Sequence, residues 1–257
     1  MKATLTVLGS GTSMGVPTIG CDCAVCRSPD PHDRRTRPSV LIEYNDKAVL
    51  IDTTPDFREQ AIRERIRKLD AVLYTHTHAD HILGIDDLRP LTFRFQPNKL
   101  PLYARPEAAE DIRTMFRYIF DADYKFGGLP QVELKSILGP LALFGATFEP
   151  IAVIHGETEI YGFRAGTAAY LTDHSEIPEA SFAKLQGLDI LFLDALRHKP
   201  HPTHSTVDKS LRIVERLQPK RAFFTHICHD LPHAATNASF PPNVQLSYDG
   251  MKLEFEI

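Results

Sequence analysis

The chain has 257 residues, 43% hydrophobic and 24% charged, with a formal net charge of −4, which suits one large or two small globular α/β domains with a sizeable core. The acidic balance supplies no general basic field for nucleic acid, and no apolar run reaches the roughly 20 residues a membrane-spanning helix needs. Residues 1–5 go straight into strand-like sequence without a signal-peptide pattern, so a cytoplasmic protein is expected.

Residues 4–8 read as a strand. The following Gly9-Ser10-Gly11-Thr12-Ser13 is either a tight turn that demands small residues or a backbone approach to a ligand. Residues 18–38 form a long loop with Pro29, Pro31, Pro38 and a C-x-C-x-x-C run, Cys21, Cys23 and Cys26. A loop of that length needs an internal tie. Three clustered cysteines, with Cys228 the only other one, make a poor disulfide framework and a good thiolate site for one zinc ion, whose fourth ligand must come from elsewhere. Ser39–Tyr44 and Lys47–Ile51 read as a hairpin around Asn45-Asp46. Pro55 opens an expected helix over 56–67, whose Arg/Glu run is a solvated face. Asp52, at a strand end, is either an N-cap or the acceptor that holds an active-site histidine.

The apolar run Ala71-Val72-Leu73-Tyr74 reads as a buried strand and delivers His76-Thr77-His78-Ala79-Asp80-His81, four metal-competent side chains in six residues. Neutral imidazole and carboxylate suit zinc, manganese or iron. A helix is expected over 82–91, weakened by Gly84 and Pro90. A short strand over 100–104 and a helix over 106–120 follow, the helix with Ile112, Met115, Phe116 and Ile119 on one side. The loop 121–128 carries Tyr124, Lys125 and Phe126, candidates to border a site. Five strands are then expected, over 131–137, 141–144, 147–154, 160–165 and 168–171, with His155 and Asp173 as polar punctuation. A short helix lies near 181–185. A strand over 189–193 opens into a segment holding Asp194, Arg197, His198, Lys199, His201 and His204, then a helix over 207–217 capped by Ser205 or Thr206. A strand over 221–225 ends in His226-Ile227-Cys228-His229-Asp230, and the tail is expected to close as a hairpin around Asp249-Gly250. No repeat or flexible linker interrupts the chain, so residues 1–257 are expected to form one domain with a loop at about 18–38 built around zinc.

H-x-H-x-D-H followed by His155, Asp173 and His226 at strand ends resembles the metallo-β-lactamase superfamily over essentially the whole chain. The resemblance implies the four-layer αββα sandwich; periodicity alone gives only mixed α/β. The stretch from Gly9 to Cys26 is similar to the PhnP-like family of cyclic-phosphate phosphodiesterases of the carbon–phosphorus lyase pathway, which open phosphoribosyl 1,2-cyclic phosphate. That resemblance implies a metal-dependent hydrolase with two divalent ions, Zn2+ or Mn2+, at the active site and one structural Zn2+. Carried over residue by residue, it gives one ion to His76, His78 and His155 and the other to Asp80, His81 and His226, with Asp173 bridging. It gives the structural zinc to Cys21, Cys23, Cys26 and His229, with Cys228 as the alternative fourth ligand.

His204-Ser205-Thr206 is similar to the histidine motif of tRNase Z-type phosphodiesterases, which implies that His204 faces the phosphate as acid or electrostatic helper, with His201 and His198 in reserve. Asp80 is expected also to accept a hydrogen bond from the nucleophilic water. Arg197 or Lys199 is a candidate to hold a terminal phosphate, the alternative being a solvated basic loop, and Arg197 and His201 are the candidate substrate contacts. His226 and His155 are expected to lean on Asp52 and Asp194. The implied activity is hydrolysis of a small cyclic phosphate or nucleotide-like phosphodiester by a dinuclear-metal hydroxide. The alternatives are a tRNase Z-like nuclease, disfavoured by the negative charge and the lack of a long basic arm, thioester or lactone hydrolysis, and a non-hydrolytic relative of the pyrroloquinoline-quinone biosynthesis B protein. A small-molecule substrate and a homodimer are expected; a membrane or nucleic-acid partner is not.

Overall fold

The computed structural model describes residues 1–93, 99–121, 123 and 127–257. Its first half holds β1 (Lys2–Gly9), β2 (Ser39–Tyr44), β3 (Lys47–Ile51), β4 (Ala71–Leu73), β5 (Leu100–Ala104) and β6 (Val132–Ser136). The second half holds β7 (Leu141–Leu143), β8 (Ala146–His155), β9 (Thr158–Ala165), β10 (Ala168–Leu171), β11 (Ile190–Asp194), β12 (Arg221–Thr225), β13 (Val244–Leu246) and β14 (Lys252–Glu256). They assemble into two seven-stranded sheets, ordered β14-β1-β2-β3-β4-β5-β6 and β13-β12-β11-β10-β9-β8-β7.

Period-2 alternation sends Val40, Ile42 and Tyr44 of β2 and Ile190 and Phe192 of β11 into the space between the sheets, and Leu41, Leu191 and Leu193 to the outer faces. Phe148, Phe163, Tyr170 and Phe192 fill the middle, none more than 2% exposed; each such burial stabilises by roughly 1.5–3 kcal/mol. The outer face of the first sheet is covered by α1 (Phe57–Arg63), α2 (Ala79–Ile82), α3 (Arg89–Thr92), α4 (Pro106–Met115) and α5 (Arg117–Phe120). The outer face of the second is covered by α6 (Glu179–Lys184) and α7 (Val207–Leu217), with α8 (His233–Asn237) at the β13 edge. Helix, sheet, sheet, helix is the sandwich that the resemblance implied.

Several expected boundaries move for local reasons. The helix expected over 56–67 stops at Arg63, because Arg65 turns left-handed (φ 56°) and Ile66 N bonds back to Ala61 O, a Schellman closure with arginine where glycine is usual. The helix expected over 82–91 begins earlier, at Ala79, so Asp80 and His81 belong to the first turn of α2, not to a loop; a 3-10 turn, Ile85–Leu88, then leads into α3. The helix expected over 106–120 breaks at Phe116 (φ −110°), which leaves Met115 52% exposed while Ile112, Phe116 and Ile119 stay buried. In α7, Thr206 is the cap: its Oγ1 accepts from Lys209 N at 3.2 Å.

The expected tail hairpin does not form. β13 lies parallel to β12 and β14 antiparallel to β1, so Asp249-Gly250 carries the chain between sheets. The cause is the Asp249 carboxylate, which accepts from Ser10 N (2.9 Å), Ser10 Oγ (2.8 Å), Thr36 N (2.9 Å) and Thr36 Oγ1 (2.6 Å). The same contacts anchor the glycine-rich turn at Ser10, while its far end, Thr12 and Ser13, lines a cavity shared with Arg197, His201 and His204. A Cβ on Gly9 would sit 1.9 Å from Arg37 O, so the glycine serves close backbone packing. Among the described residues, no helix is long and apolar enough to cross a membrane.

Candidate metal centre and cleft

Parallel strands converge their carboxyl ends on one cleft. β3 delivers Asp52 and β4 leads to His76; β10, β11 and β12 deliver Asp173, Asp194 and His226, and the long hairpin strand β8 ends on His155. Asp52, Asp173 and His226 adopt left-handed φ of 66°, 53° and 57°. Such backbone costs about 1–3 kcal/mol per residue outside glycine, and all three turn from a strand end into the cleft.

Two groups of side chains meet there. His76, His78 and His155 form one, with His155 Nε2 3.2 Å from His78 Nδ1. Asp80, His81, Asp173 and His226 form the other. In it His81 Nε2 is 3.2 Å from Asp80 Oδ2 and 3.3 Å from Asp173 Oδ1, and His226 Nε2 is 3.2 Å from Asp173 Oδ2 and 3.5 Å from Asp80 Oδ2. Asp173 Oδ2 also lies 3.9 Å from His76 Nε2, so its carboxylate faces both groups. Ligands held about 2.0–2.2 Å from one ion at tetrahedral angles stand about 3.3–3.6 Å apart. The observed edges match that spacing, and His76 Nε2 is buried without a hydrogen-bond partner among the described residues. The donor set therefore fits divalent ions.

Ring orientation is set from behind. Asp52 is fully buried and accepts from Thr75 N (2.8 Å), Thr75 Oγ1 (2.8 Å) and His81 Nδ1 (2.7 Å). Thr75 Oγ1, having donated its proton, accepts from His76 Nδ1 at 3.0 Å. Each bond leaves an Nε2 aimed into the cleft. Here the expected support is corrected: Asp52 holds His81, Asp194 holds His204, His155 Nδ1 donates to Thr203 O at 2.8 Å, and His226 Nδ1 has no partner.

Burial opposes charge throughout the cleft. It drives His76 well below the usual imidazole range and His155 down to about 4. Against the same burial, Asp80 and Asp173 stay ionised because His81 and His226 face them, and those two rings are raised in return, His226 to about 9. The carboxylates thus draw positive counter-charge into a buried site, which a divalent cation also supplies.

His204 stands beside both groups, its ring centroid 4.8 Å from His155 and 4.5 Å from His226. Its Nδ1 meets Asp194 Oδ2 at 2.6 Å. Burial raises Asp194 well above the usual carboxylate range and lowers His204 to about 4. The short Nδ1···Oδ2 contact requires a proton between the two groups, carried by Nδ1 or by the carboxyl. Arg197 and His201 line a cavity of about 170 Å3 next to His204. His198 and Lys199 are exposed and do not line it, and Tyr124, Lys125 and Phe126 lie outside the described residues.

The cysteine loop closes on His229, whose Nδ1 is 3.2, 3.6 and 3.4 Å from the sulfurs of Cys21, Cys23 and Cys26. Zinc at about 2.3 Å from sulfur and about 2.0 Å from nitrogen sets such edges near 3.5 Å. The Cys26 amide next to its sulfur lowers the Cys23 thiol to about 7. Cys228 points elsewhere, its thiol donating to Asp230 Oδ2 at 3.3 Å, and burial raises it to about 12. Thr75, Thr203 and the Asp194–His204 pairing escaped the sequence reading.

Known proteins share this fold. The model of the β-lactamase superfamily domain matches residues 47–227. A crystal structure described as a new diphosphatase from the PhnP family is 62% identical, covers 99% of this chain and 98% of its own, and superposes with a TM-score of 0.94. Zn2+-bound PqqB from Methylobacterium extorquens, 18% identical over 97% of this chain and 99% of its own, shares the fold with a TM-score of 0.81. A Porphyromonas gingivalis protein named octanoyltransferase is 38% identical over 251 residues, 96% of this chain but 50% of that one. This chain spans about half the length of the curated relatives it matches first. The superfamily model, the matching sandwich and the 62% identity over nearly the full length identify the chain as a member of the metallo-β-lactamase superfamily, within its PhnP family.

Proposed function

We propose that the chain hydrolyses a small cyclic phosphate or nucleotide-like phosphodiester, with two divalent ions, Zn2+ or Mn2+, in the cleft and one structural Zn2+ in the thiol cradle. The chain is a metallo-β-lactamase-fold hydrolase that binds divalent metal. The observation that carries the finer reading is the seat of His204, beside two metal-competent groups that share Asp173. We assign His76, His78 and His155 to one ion, Asp80, His81 and His226 to the other, and Asp173 to both. Cys21, Cys23, Cys26 and His229 take the structural zinc. When bound, divalent ions supply Lewis acidity and an activated water.

The chain's own residues do the rest. Asp80 accepts a hydrogen bond from the attacking water. His204 donates its Nε2 proton to the departing oxygen, while its Nδ1 proton stays on the Asp194 carboxylate. Asp194 fixes the tautomer and stabilises the doubly protonated ring. Arg197 and His201 hold the far end of the leaving group. A diphosphate linkage is a second reading, favoured by the similarity to the PhnP-family diphosphatase: it offers the same non-bridging oxygens and a leaving group that needs less acid. The octanoyltransferase name belongs to a protein about twice as long and carries no activity to this chain.

The test is turnover of bis-p-nitrophenyl phosphate, a nucleoside cyclic phosphate and a nucleotide sugar by protein loaded with Mn2+ or Zn2+. Activity on either diester, abolished by chelator and restored by metal, supports the phosphodiesterase; activity on the nucleotide sugar alone supports the diphosphate reading. No turnover with three metals bound per chain, two of them in the cleft, overturns both.

A further inference from the structure

Arg35 is the largest wholly buried side chain among the described residues, yet it belongs to neither candidate metal centre. Nothing in its charged neighbourhood, Asp33-Arg34-Arg35, marks it for burial. Its guanidinium donates from Nη1 to Cys228 O (2.9 Å), and from Nη2 to Leu231 O (2.7 Å) and Asp33 Oδ1 (3.0 Å); Nε reaches His32 O at 3.3 Å. Asp33 Oδ1 also accepts from His233 N at 2.8 Å. The Arg35 backbone pairs with Val16 in both directions at 2.8 Å. One buried ion pair thus grips the 228–233 segment by carbonyls on either side of His229, and ties it to the exit of the cysteine loop.

That segment serves two places. His229 closes the thiol cradle, and Cys228, His229 and Asp230 form the wall of the cavity that faces Arg197, His201 and His204. The ligand-bearing end, His226, lies only two residues before Cys228. Removing a buried guanidinium that satisfies two carbonyls and a carboxylate leaves those acceptors unpaired, so the segment loosens where it borders the cavity.

We propose that Arg35 is a positioning residue for the leaving-group side of the cleft: through Cys228 O and Leu231 O it holds the 228–230 wall in place, and so sets which leaving groups fit beside His204. The proposal rests on the phosphodiesterase reading for its kinetic arm alone. Arg35→Lys keeps one charge and loses the fork; Asp33→Asn keeps an acceptor for His233 N and loses the charge.

In metal-loaded protein, amide exchange over residues 226–233 rises about tenfold or more in Arg35→Lys and to a smaller degree in Asp33→Asn, while the strands β2 and β3 keep their protection. KM for a nucleotide-sized diester rises about tenfold with kcat within about threefold, and KM for bis-p-nitrophenyl phosphate changes little. Unchanged exchange over 226–233, or protection lost equally along the whole chain, overturns the proposal, as does a KM rise common to both substrates. If Arg35→Lys does not fold, Asp33→Asn decides by the same criteria. If wild-type protein turns over neither substrate, the functional reading fails and with it the leaving-group role, while the exchange pattern still decides whether Arg35 holds the 228–230 wall.

Discussion

Replacing Asp194 by asparagine separates chemistry from architecture. Asp194 is fully buried at the end of β11, with Oδ2 2.6 Å from His204 Nδ1 and Oδ1 without a partner. Asparagine has nearly the same shape, yet its amide cannot stabilise an imidazolium, so His204 loses the form that protonates a leaving oxygen. General acid catalysis contributes about 10²- to 10⁴-fold, or about 3–5 kcal/mol at 1.36 kcal/mol per decade, and the fall in kcat for Asp194→Asn is expected in that range. Stability moves the other way. Burial raises the folded pKa of Asp194 above its unfolded value, so the ionised form penalises folding at any pH above the ordinary carboxylate range. A neutral amide removes that penalty, and the thermal midpoint at neutral pH is expected to equal or exceed that of the wild type. The assay is kcat on bis-p-nitrophenyl phosphate at fixed metal load, with metal per chain and thermal midpoint on the same samples. Activity within about threefold of wild type, or loss of a metal, refutes the role given to the pair.

Three further outcomes are expected. His204→Ala keeps both cleft metals by elemental analysis and loses most activity; loss of a metal would make His204 a ligand, for which its closeness to His155 and Asp173 leaves room. Asp52→Ala releases His81 Nδ1 and both Thr75 donors, and metal affinity measured by chelator competition falls about 10- to 100-fold. Cys23→Ser loses one zinc per chain and melts at lower temperature while the cleft metals stay; zinc content equal to wild type would contradict the cradle.

What could be read in advance followed from how locally each signal is written. H-x-H-x-D-H is legible because its donors are neighbours in the chain, and the cysteine loop for the same reason. His155, Asp173 and His226 are single residues at strand ends, and only as an ordered set did they point anywhere. The supports are not legible in the sequence because they depend on which strands lie side by side. β3 next to β4 puts Asp52 against Thr75 and His81. Asp194 lies in register with Thr225, which invites a bond to His226. The chain instead folds back, with Leu196 N on Ser205 O and Val207 N on Arg197 O, and presents His204 to Asp194 first. The same dependence explains the tail: Asp-Gly is a turn signal, but a carboxylate that satisfies Ser10 and Thr36 more than two hundred residues back overrides a local hairpin. Arg35 is the limiting case, a charged residue in a charged run whose acceptors are 193 and 196 residues away. Residues that hold a metal announce themselves by type and spacing. Residues that hold those residues are defined by partners that only the fold supplies, so variants of Asp194, Asp52 and Arg35 test the proposed site more sharply than variants of the metal-competent side chains themselves.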